Sequence, residues 1–148
     1  MTPTLRPAQH ADAHALATLS TQLGYPADPA TLAARLAVLL AAPEQHFVCV
    51  VEAQGQVRGW IHGFVRPLLE SATCVEVGGL VVAEDCRGQG LGAQLLAACE
   101  QWAATRGIAE VTVRCAEHRA AAHRFYRQQG YSHIKNQLTF RKAVPASP

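Results

Sequence analysis

The chain has 148 residues, 49% hydrophobic and 16% charged, which is enough material for one domain with a buried core. Its net charge of +2 argues against a nucleic-acid surface, and no basic run is interleaved with aromatic residues. No stretch approaches the roughly 18 apolar residues that span a membrane, and we expect no signal peptide. The five scattered cysteines form no C-x-x-C motif, so reduced thiols and a cytoplasmic location are expected. His10 and His14 have the spacing of metal ligands, but we expect no metal site.

The hydrophobic pattern predicts ten elements in the order β-α-α-β-β-β-α-β-α-β. Strands are predicted at residues 5–6, 47–52, 57–65, 74–82, 111–115 and about 136–141. Helices are predicted at residues 11–23, 29–40, 91–105 and 119–129. The strand–helix–strand unit of residues 74–115 favours parallel neighbours, whereas the preceding hairpin is antiparallel. We therefore expect a mixed, twisted α/β sheet covered by helices, in one domain over residues 1–148 with a core of 5–141 and a loose tail.

A glycine-rich stretch, D-C-R-G-Q-G-L-G-A-Q-L-L at residues 85–96, joins a predicted strand to a predicted helix. Unpaired backbone N–H groups and the positive end of the helix dipole meet at such a point. Glycines let an anion approach the backbone, and Arg87 can add a charge-assisted hydrogen bond. The stretch therefore predicts a cradle for a phosphate or pyrophosphate.

Other interpretations of these glycines fit less well. The Walker pattern G-x-x-x-x-G-K-[ST] is absent. The dinucleotide fingerprint matches as Gly88, Gly90 and Ala93, with Glu110 about 20 residues further on. That fingerprint should follow the first strand, whereas here it follows the fourth, and Glu110 precedes its strand. A glycine-rich turn without a ligand is the remaining alternative.

The pair Gly78-Gly79 lies inside the predicted strand 74–82. Glycine in a strand often marks a bulge, which here would break the pairing with the strand at residues 111–115. Two parallel strands that part leave a slot, in which an extended ligand could bond its amides to the free edge of residues 80–82. A ligand with both a pyrophosphate and an amide-rich arm is coenzyme A.

Three motifs together resemble the GCN5-related N-acetyltransferase (GNAT) superfamily. They are R-G-Q-G-L-G-A at residues 87–93, E-V-G-G-L-V-V at 76–82 and R-A-A-A-H-R-F-Y-R-Q-Q-G-Y at 119–131. With the element order, the resemblance covers about residues 5–141. It implies a sheet of about six to seven strands flanked by four helices, with a bulged, splayed central strand. It also implies acetyl transfer from acetyl-CoA to a primary amine of a small molecule or peptide, and a homodimer.

The resemblance assigns coenzyme contacts residue by residue. It implies that backbone amides of the glycine loop hold the pyrophosphate, that Arg87 and Gly88 shape this loop, and that Phe125 and Ala122 line the coenzyme side of their helix. The loop amides are those of Gln89, Gly90, Leu91, Gly92 and Ala93. Main-chain groups of the strand Leu80, Val81 and Val82 would bind the pantetheine arm, and one amide there would polarise the thioester carbonyl. Arg119 stands where many relatives carry asparagine, and it either reaches a phosphate or faces solvent.

Two residues are candidates for proton transfer. Tyr126 corresponds to the family's tyrosine near the coenzyme sulfur and would protonate the departing thiolate. Glu76 would accept the amine proton through water, or would only bind a cationic acceptor. We expect a surface position for His123 and no thiol nucleophile at Cys86 or Cys115. The alternative function is a non-catalytic acyl-CoA-binding module.

Overall fold

The computed structural model describes residues 2–147 and falls into two compact units, Met1–Arg114 and Cys115–Pro148. Each unit is described by itself. The single domain expected from the sequence therefore stays a prediction, and its two end residues, Met1 and Pro148, lie outside the described part of the chain.

The strands and helices follow the predicted order closely. The strands are β1 (Thr4–Pro7), β2 (His46–Ala53), β3 (Gln56–Arg66), β4 (Cys74–Val82) and β5 (Val111–Val113). The helices are α1 (Ala13–Leu23), α2 (Pro29–Leu40), α3 (Leu91–Thr105) and α4 (Ala120–Gln128). Of the helices and strands formed by residues 2–147, only α4 belongs to the second unit. The predicted bounds of β4 and α3 are confirmed residue for residue, and β5 is shorter than predicted.

The first unit is built on one mixed sheet with the strand order β1-β2-β3-β4-β5. The first three pairings are antiparallel, and β4 pairs with β5 in parallel. The mixed α/β class with four helices is confirmed, with five strands in the described residues rather than six to seven.

The last predicted strand, at residues 136–141, is wrong, because the described chain after Gly130 contains no strand. The apolar side chains Ile134, Leu138 and Phe140 are 75–87% exposed. A strand is stable only when a partner pairs its backbone and covers one of its faces. The His133 ring bonds instead to the Lys135 carbonyl and the Asn136 side chain. Such local hydrogen bonds compete with the backbone hydrogen bonds of a β-sheet.

Helices α1 and α2 cover one face of the sheet. Asp28 caps α2 by accepting a hydrogen bond from the Thr31 amide at 2.9 Å, and Gly24 ends α1 with a φ of 99°. Leu16 and Leu36 pack with Val48 and Val50 of β2 in one buried cluster. These contacts place one side of α2 against the sheet.

Helix α3 covers the opposite face of the sheet. Successive side chains of a strand point to opposite faces, so neighbouring residues of β2 contact different helices. Phe47, next to Val48, stacks on Trp102 of α3 with ring centroids 5.5 Å apart. Leu95, Leu96 and Cys99 are fully buried, so they form the inner face of this helix.

Candidate active site

The sheet opens between β4 and β5. Their parallel ladder runs from Val75–Val111 to Val77–Val113 and stops there. On its other side, β4 stays paired with β3 as far as Val82, with a register shift opposite Gly78. The predicted bulge and separation are therefore present, and beyond Val77 no strand pairs with β4 on its β5 side within residues 2–147. We call this opening the fork.

Aromatic rings of β3 explain why β4 carries two glycines at the fork. A Cβ on Gly79 would lie 2.7 Å from Cη2 of Trp60, closer than atoms pack. A Cβ on Gly78 would lie 3.1 Å from Nδ1 of His62 and 3.4 Å from Cε1 of Phe64. Trp60, His62 and Phe64 alternate along β3 and therefore share one face. Side chains of β3 thus fill the space that Cβ atoms of β4 would otherwise occupy.

The glycine-rich loop leaves its backbone open at the start of α3. Gly88 and Gly90 have φ values of 81° and 80°, and no atom lies within 4 Å of a Cβ built on either residue. Gly90 is the N-cap residue, and no side chain caps the helix. The first amides of α3 therefore lack an internal acceptor, which is the condition for an anion site. Arg87 Nε donates to the Val82 carbonyl at 3.4 Å and so connects this loop to the end of β4.

Three charged side chains meet at the mouth of the fork. Arg66 Nη1 lies 2.9 Å from Glu76 Oε1, and Arg114 Nε lies 3.4 Å from the same oxygen. The Glu76 side chain is 12% exposed, whereas those of Arg66 and Arg114 are 34% and 56% exposed. Arg114 directly follows Val113, the last β5 residue paired with β4. We call Arg66, Glu76 and Arg114 the charged triad.

A histidine pair lies on the same strand face as the triad's Arg66. His62 Nε2 is 3.0 Å from His46 Nδ1, so one ring donates to the other. Burial and, to a smaller extent, the neighbouring His46 lower the pKa of His62 to about 4. His62 is therefore neutral at physiological pH, with its Nδ1 side against Gly78.

In the second unit, α4 presents Tyr126 among aromatic rings. Its ring centroid is 5.1 Å from that of Phe125 and 5.8 Å from that of Tyr131. Burial raises the pKa of Tyr126 to about 12, the charge of a Cys115 thiolate would raise it too, and Arg119 acts in the opposite direction. The phenol therefore keeps its proton at any physiological pH and can act as a donor. Arg119 is the N-cap residue of α4.

The sequence profile of the acetyltransferase (GNAT) family matches residues 12–131, which is most of the chain. The protein belongs to the GNAT acetyltransferase family. It is therefore an acyltransferase, and the resemblance drawn from the motifs is confirmed. No match was found among curated protein sequences.

Solved structures of other acetyltransferases share the fold. AAC(6')-Iy, in complex with the bisubstrate analogue CoA-S-monomethyl-acetylneamine, is 18% identical with a TM-score of 0.87 over 97% of this chain and 100% of its own. Aminoglycoside 6'-N-acetyltransferase AAC(6')-IG from Acinetobacter haemolyticus is 18% identical with a TM-score of 0.84 over 96% and 99%. Glucosamine-6-phosphate N-acetyltransferase from Arabidopsis thaliana is 17% identical with a TM-score of 0.81 over 95% and 99%.

In this GNAT protein the predicted site residues fall in both units. The strand Leu80–Val82, the loop from Arg87 to Ala93 and Glu76 lie in the first unit, and all three border the fork or follow it. Arg119, Ala122, Phe125 and Tyr126 lie in the second unit, at the start and along one side of α4. Their roles as coenzyme ligands and proton donors stay predictions.

One histidine and one cysteine of this acetyltransferase are in surroundings that do not favour a catalytic role. His123 Nε2 is 2.9 Å from the Ala116 carbonyl and closes the turn before α4. Burial raises the pKa of Cys115, which disfavours the thiolate that a nucleophile requires.

No group of three His, Cys, Asp or Glu side chains suited to a metal ion occurs in the described chain. None of its helices could cross a membrane.

Sequence reasoning missed Arg114 and the histidine pair. Arg114 meets Glu76 only through the β4–β5 register, which one sequence does not reveal. His46 meets His62 through the hairpin register of β2 and β3. One signal was available, because aromatic side chains at every second position from Trp60 to Phe64 mark a single strand face.

Proposed function

We propose that the protein transfers an acetyl group from acetyl-CoA directly to a primary amine of a small molecule or peptide. The observation that carries this proposal is the fork, which leaves the backbone edge of Leu80–Val82 without a partner strand beside an open glycine loop, with Arg87 Nε bound to the Val82 carbonyl. An extended arm with amides would complete the sheet there, and a pyrophosphate would fit the N-terminus of α3. The complex of AAC(6')-Iy with CoA supports the choice of donor.

The shape of the glycine loop supports a fit to the pyrophosphate of the coenzyme. At Gly88 and Gly90 the space that a side chain would fill is empty, so phosphate oxygens can approach the amides of Gln89 to Ala93. The positive φ at both residues also favours glycine over residues with a Cβ. Arg87, held by the Val82 carbonyl, would add a positive charge at the loop.

The chemistry needs one base, one acid and one donor to the carbonyl oxygen. The amine nitrogen attacks the thioester carbonyl carbon, while a backbone amide of Leu80–Val82 stabilises the negative oxygen. Glu76, through water, takes the proton that the nitrogen loses. The C–S bond then breaks, and Tyr126 gives its phenol proton to the departing thiolate. The products are the N-acetylated amine and the free CoA thiol.

We also propose that the reaction takes place in the cytoplasm. The five cysteines, Cys49, Cys74, Cys86, Cys99 and Cys115, are unpaired, which fits a reducing cytoplasm. We also propose a homodimer, and light scattering that gives a monomer mass at micromolar concentration would refute it.

Calorimetric titration of the purified protein with acetyl-CoA, with NAD and ATP as controls, tests the donor. We expect micromolar binding of acetyl-CoA alone. No binding of acetyl-CoA would refute the proposal, and binding of NAD would favour a dinucleotide site. Release of the CoA thiol in the presence of an amine panel then reports turnover.

A further inference from the structure

The charged triad carries one more positive charge than negative charge. Arg66 and Arg114 both direct a guanidinium nitrogen at the same oxygen of Glu76. No other carboxylate among residues 2–147 forms an ion pair with either arginine. Each guanidinium has five N–H donors in a rigid plane, so most of the donors of both arginines have no anionic partner.

The strands around the fork supply no second acidic group. Glu76 is the only acidic residue of β3, β4 and β5, and both arginines already hold it. A second ammonium group at this place would meet two guanidinium charges and one engaged carboxylate. Like charges at such distances repel, so the triad selects against polycations.

The triad lies close to the place where acetyl transfer would occur. Glu76 stands two residues before Gly78, and Arg114 is the first residue beyond the last β4–β5 pair. The edge without a partner strand begins at Leu80, four residues after Glu76, so at about 3.3 Å per strand residue the triad is on the order of 13 Å from it along the strand. The long arginine side chains reach over part of this distance, so a small acceptor whose amine and second group are several bonds apart can place its amine at the thioester and the second group at the arginines.

From these observations, and resting on the proposed function, we propose that the acceptor is a compact primary amine that carries a carboxylate or phosphate, which Arg66 and Arg114 bind. Bidentate hydrogen bonding from guanidinium groups suits both anions. Glu76 holds the two arginines in position and cancels one of their charges.

The test compares matched amines that differ in one anionic group. The pairs are 6-aminohexanoate with hexylamine and glucosamine 6-phosphate with glucosamine, and an aminoglycoside serves as a polycation. Thiol release from acetyl-CoA gives kcat/KM for each amine. We expect the anionic member of at least one pair to exceed its partner about tenfold or more, and to exceed the aminoglycoside. Which pair responds distinguishes a carboxylate from a phosphate.

Variants locate the effect on the triad. R66Q and R114Q should each reduce the preference for the anionic amine to within about threefold, mainly through KM, and R66K should retain part of it. E76Q should lower the KM or Kd of the anionic amine, because both arginines then become available. R106Q is the control, since Arg106 lies against Trp102 and donates to the Pro43 carbonyl, away from the triad. Circular dichroism confirms that each variant folds.

The outcomes separate the two proposals. Failure to bind acetyl-CoA refutes the proposed function. Binding of acetyl-CoA with equal or better use of the neutral amines refutes the anion preference alone. Where neither amine of a pair turns over, calorimetry measures the binding of both to the coenzyme-loaded protein. Equal or absent affinity there refutes the preference, as does a preference that R66Q and R114Q leave unchanged.

Discussion

The Cβ position of Gly63 lies 2.5 Å from the Sγ atom of Cys99, so β3 and α3 touch with no room for a methyl group. Cys99 is fully buried. The next nearest side-chain atom to the Cβ position of Gly63 is Cγ1 of Val75, at 3.4 Å. The contact sets how closely α3 approaches the sheet. The same helix begins at the glycine loop, so this contact helps to place the loop against the end of β4.

Gly63→Ala should therefore destabilise the fold by about 1–3 kcal/mol through overpacking. Cys99→Ala should compensate, because removal of Sγ makes room for the new methyl group. The double variant should be more stable than the sum of the single effects by about 1 kcal/mol or more. Denaturant unfolding measures all three. Cys49→Ala, a buried cysteine that is not among the nearest neighbours of Gly63, should show no such coupling with Gly63→Ala.

Gly90→Val should weaken acetyl-CoA binding about tenfold or more. The added side chain would occupy the open space beside the loop amides and strain a φ of 80°. Gly107→Val is the matched control, because Gly107 has a φ of 71° and equally open surroundings at the other end of α3. The two variants should lose similar stability in thermal melts, whereas calorimetry should show a loss of affinity only for Gly90→Val. Equal affinity in both would contradict a phosphate cradle at this loop.

Glu76→Gln distinguishes a proton acceptor from a group that only organises the arginines. If Glu76 accepts the amine proton, kcat should fall by about a hundredfold or more. KM for an acceptor should not rise, since the substitution removes no bond that the proposed acceptor makes. Steady-state thiol release gives both constants. An unchanged kcat would rule out the base and leave the positioning role.

Tyr126→Phe should lower kcat by about a hundredfold and leave acetyl-CoA affinity within about threefold, because only the proton donor is lost. With the pKa of Tyr126 near 12, the wild-type rate should show no loss from its ionisation up to about pH 10. Tyr131→Phe, in the same aromatic group, is the control and should retain turnover. A wild-type rate that survives Tyr126→Phe would show that the acid is another group.

His62 should make the fold sensitive to mild acid. Its pKa is about 4 in the folded chain and about 6.5 when unfolded, so below pH 6.5 the unfolded state binds more protons. Stability should therefore fall as the pH drops from about 6.5 to 4, with a loss of about 1–2 kcal/mol at pH 5 after allowance for partial exposure. Urea unfolding at pH 7 and pH 5 measures this. His62→Gln should reduce the loss, whereas His14→Gln, at an exposed position of α1, should keep it.

Local pattern was sufficient to predict most of the first unit. The helical spacing of Leu95, Cys99 and Trp102 and the cap at Asp28 act within a few residues, so the bounds of α3 and α2 followed from them. The Gly78-Gly79 pair predicted the bulge because glycine has few other uses inside a strand. Contacts between strands were not predictable, because Arg114 and Glu76 are 38 positions apart and meet only through pairing register. The last strand failed for a related reason, since an alternating pattern such as Ile134 to Phe140 needs a partner that the pattern does not encode.

The fork gives the sheet an interior edge. Open strand edges invite pairing with other chains, and proteins usually protect them. A ligand that pairs with Leu80–Val82 would close this edge, so binding would act as completion of the fold. By mass action, a ligand at one hundred times its Kd adds about 2.7 kcal/mol to the free energy of unfolding. The lifetime of the folded protein, and its resistance to aggregation and proteolysis, would then rise and fall with the supply of coenzyme in the cell.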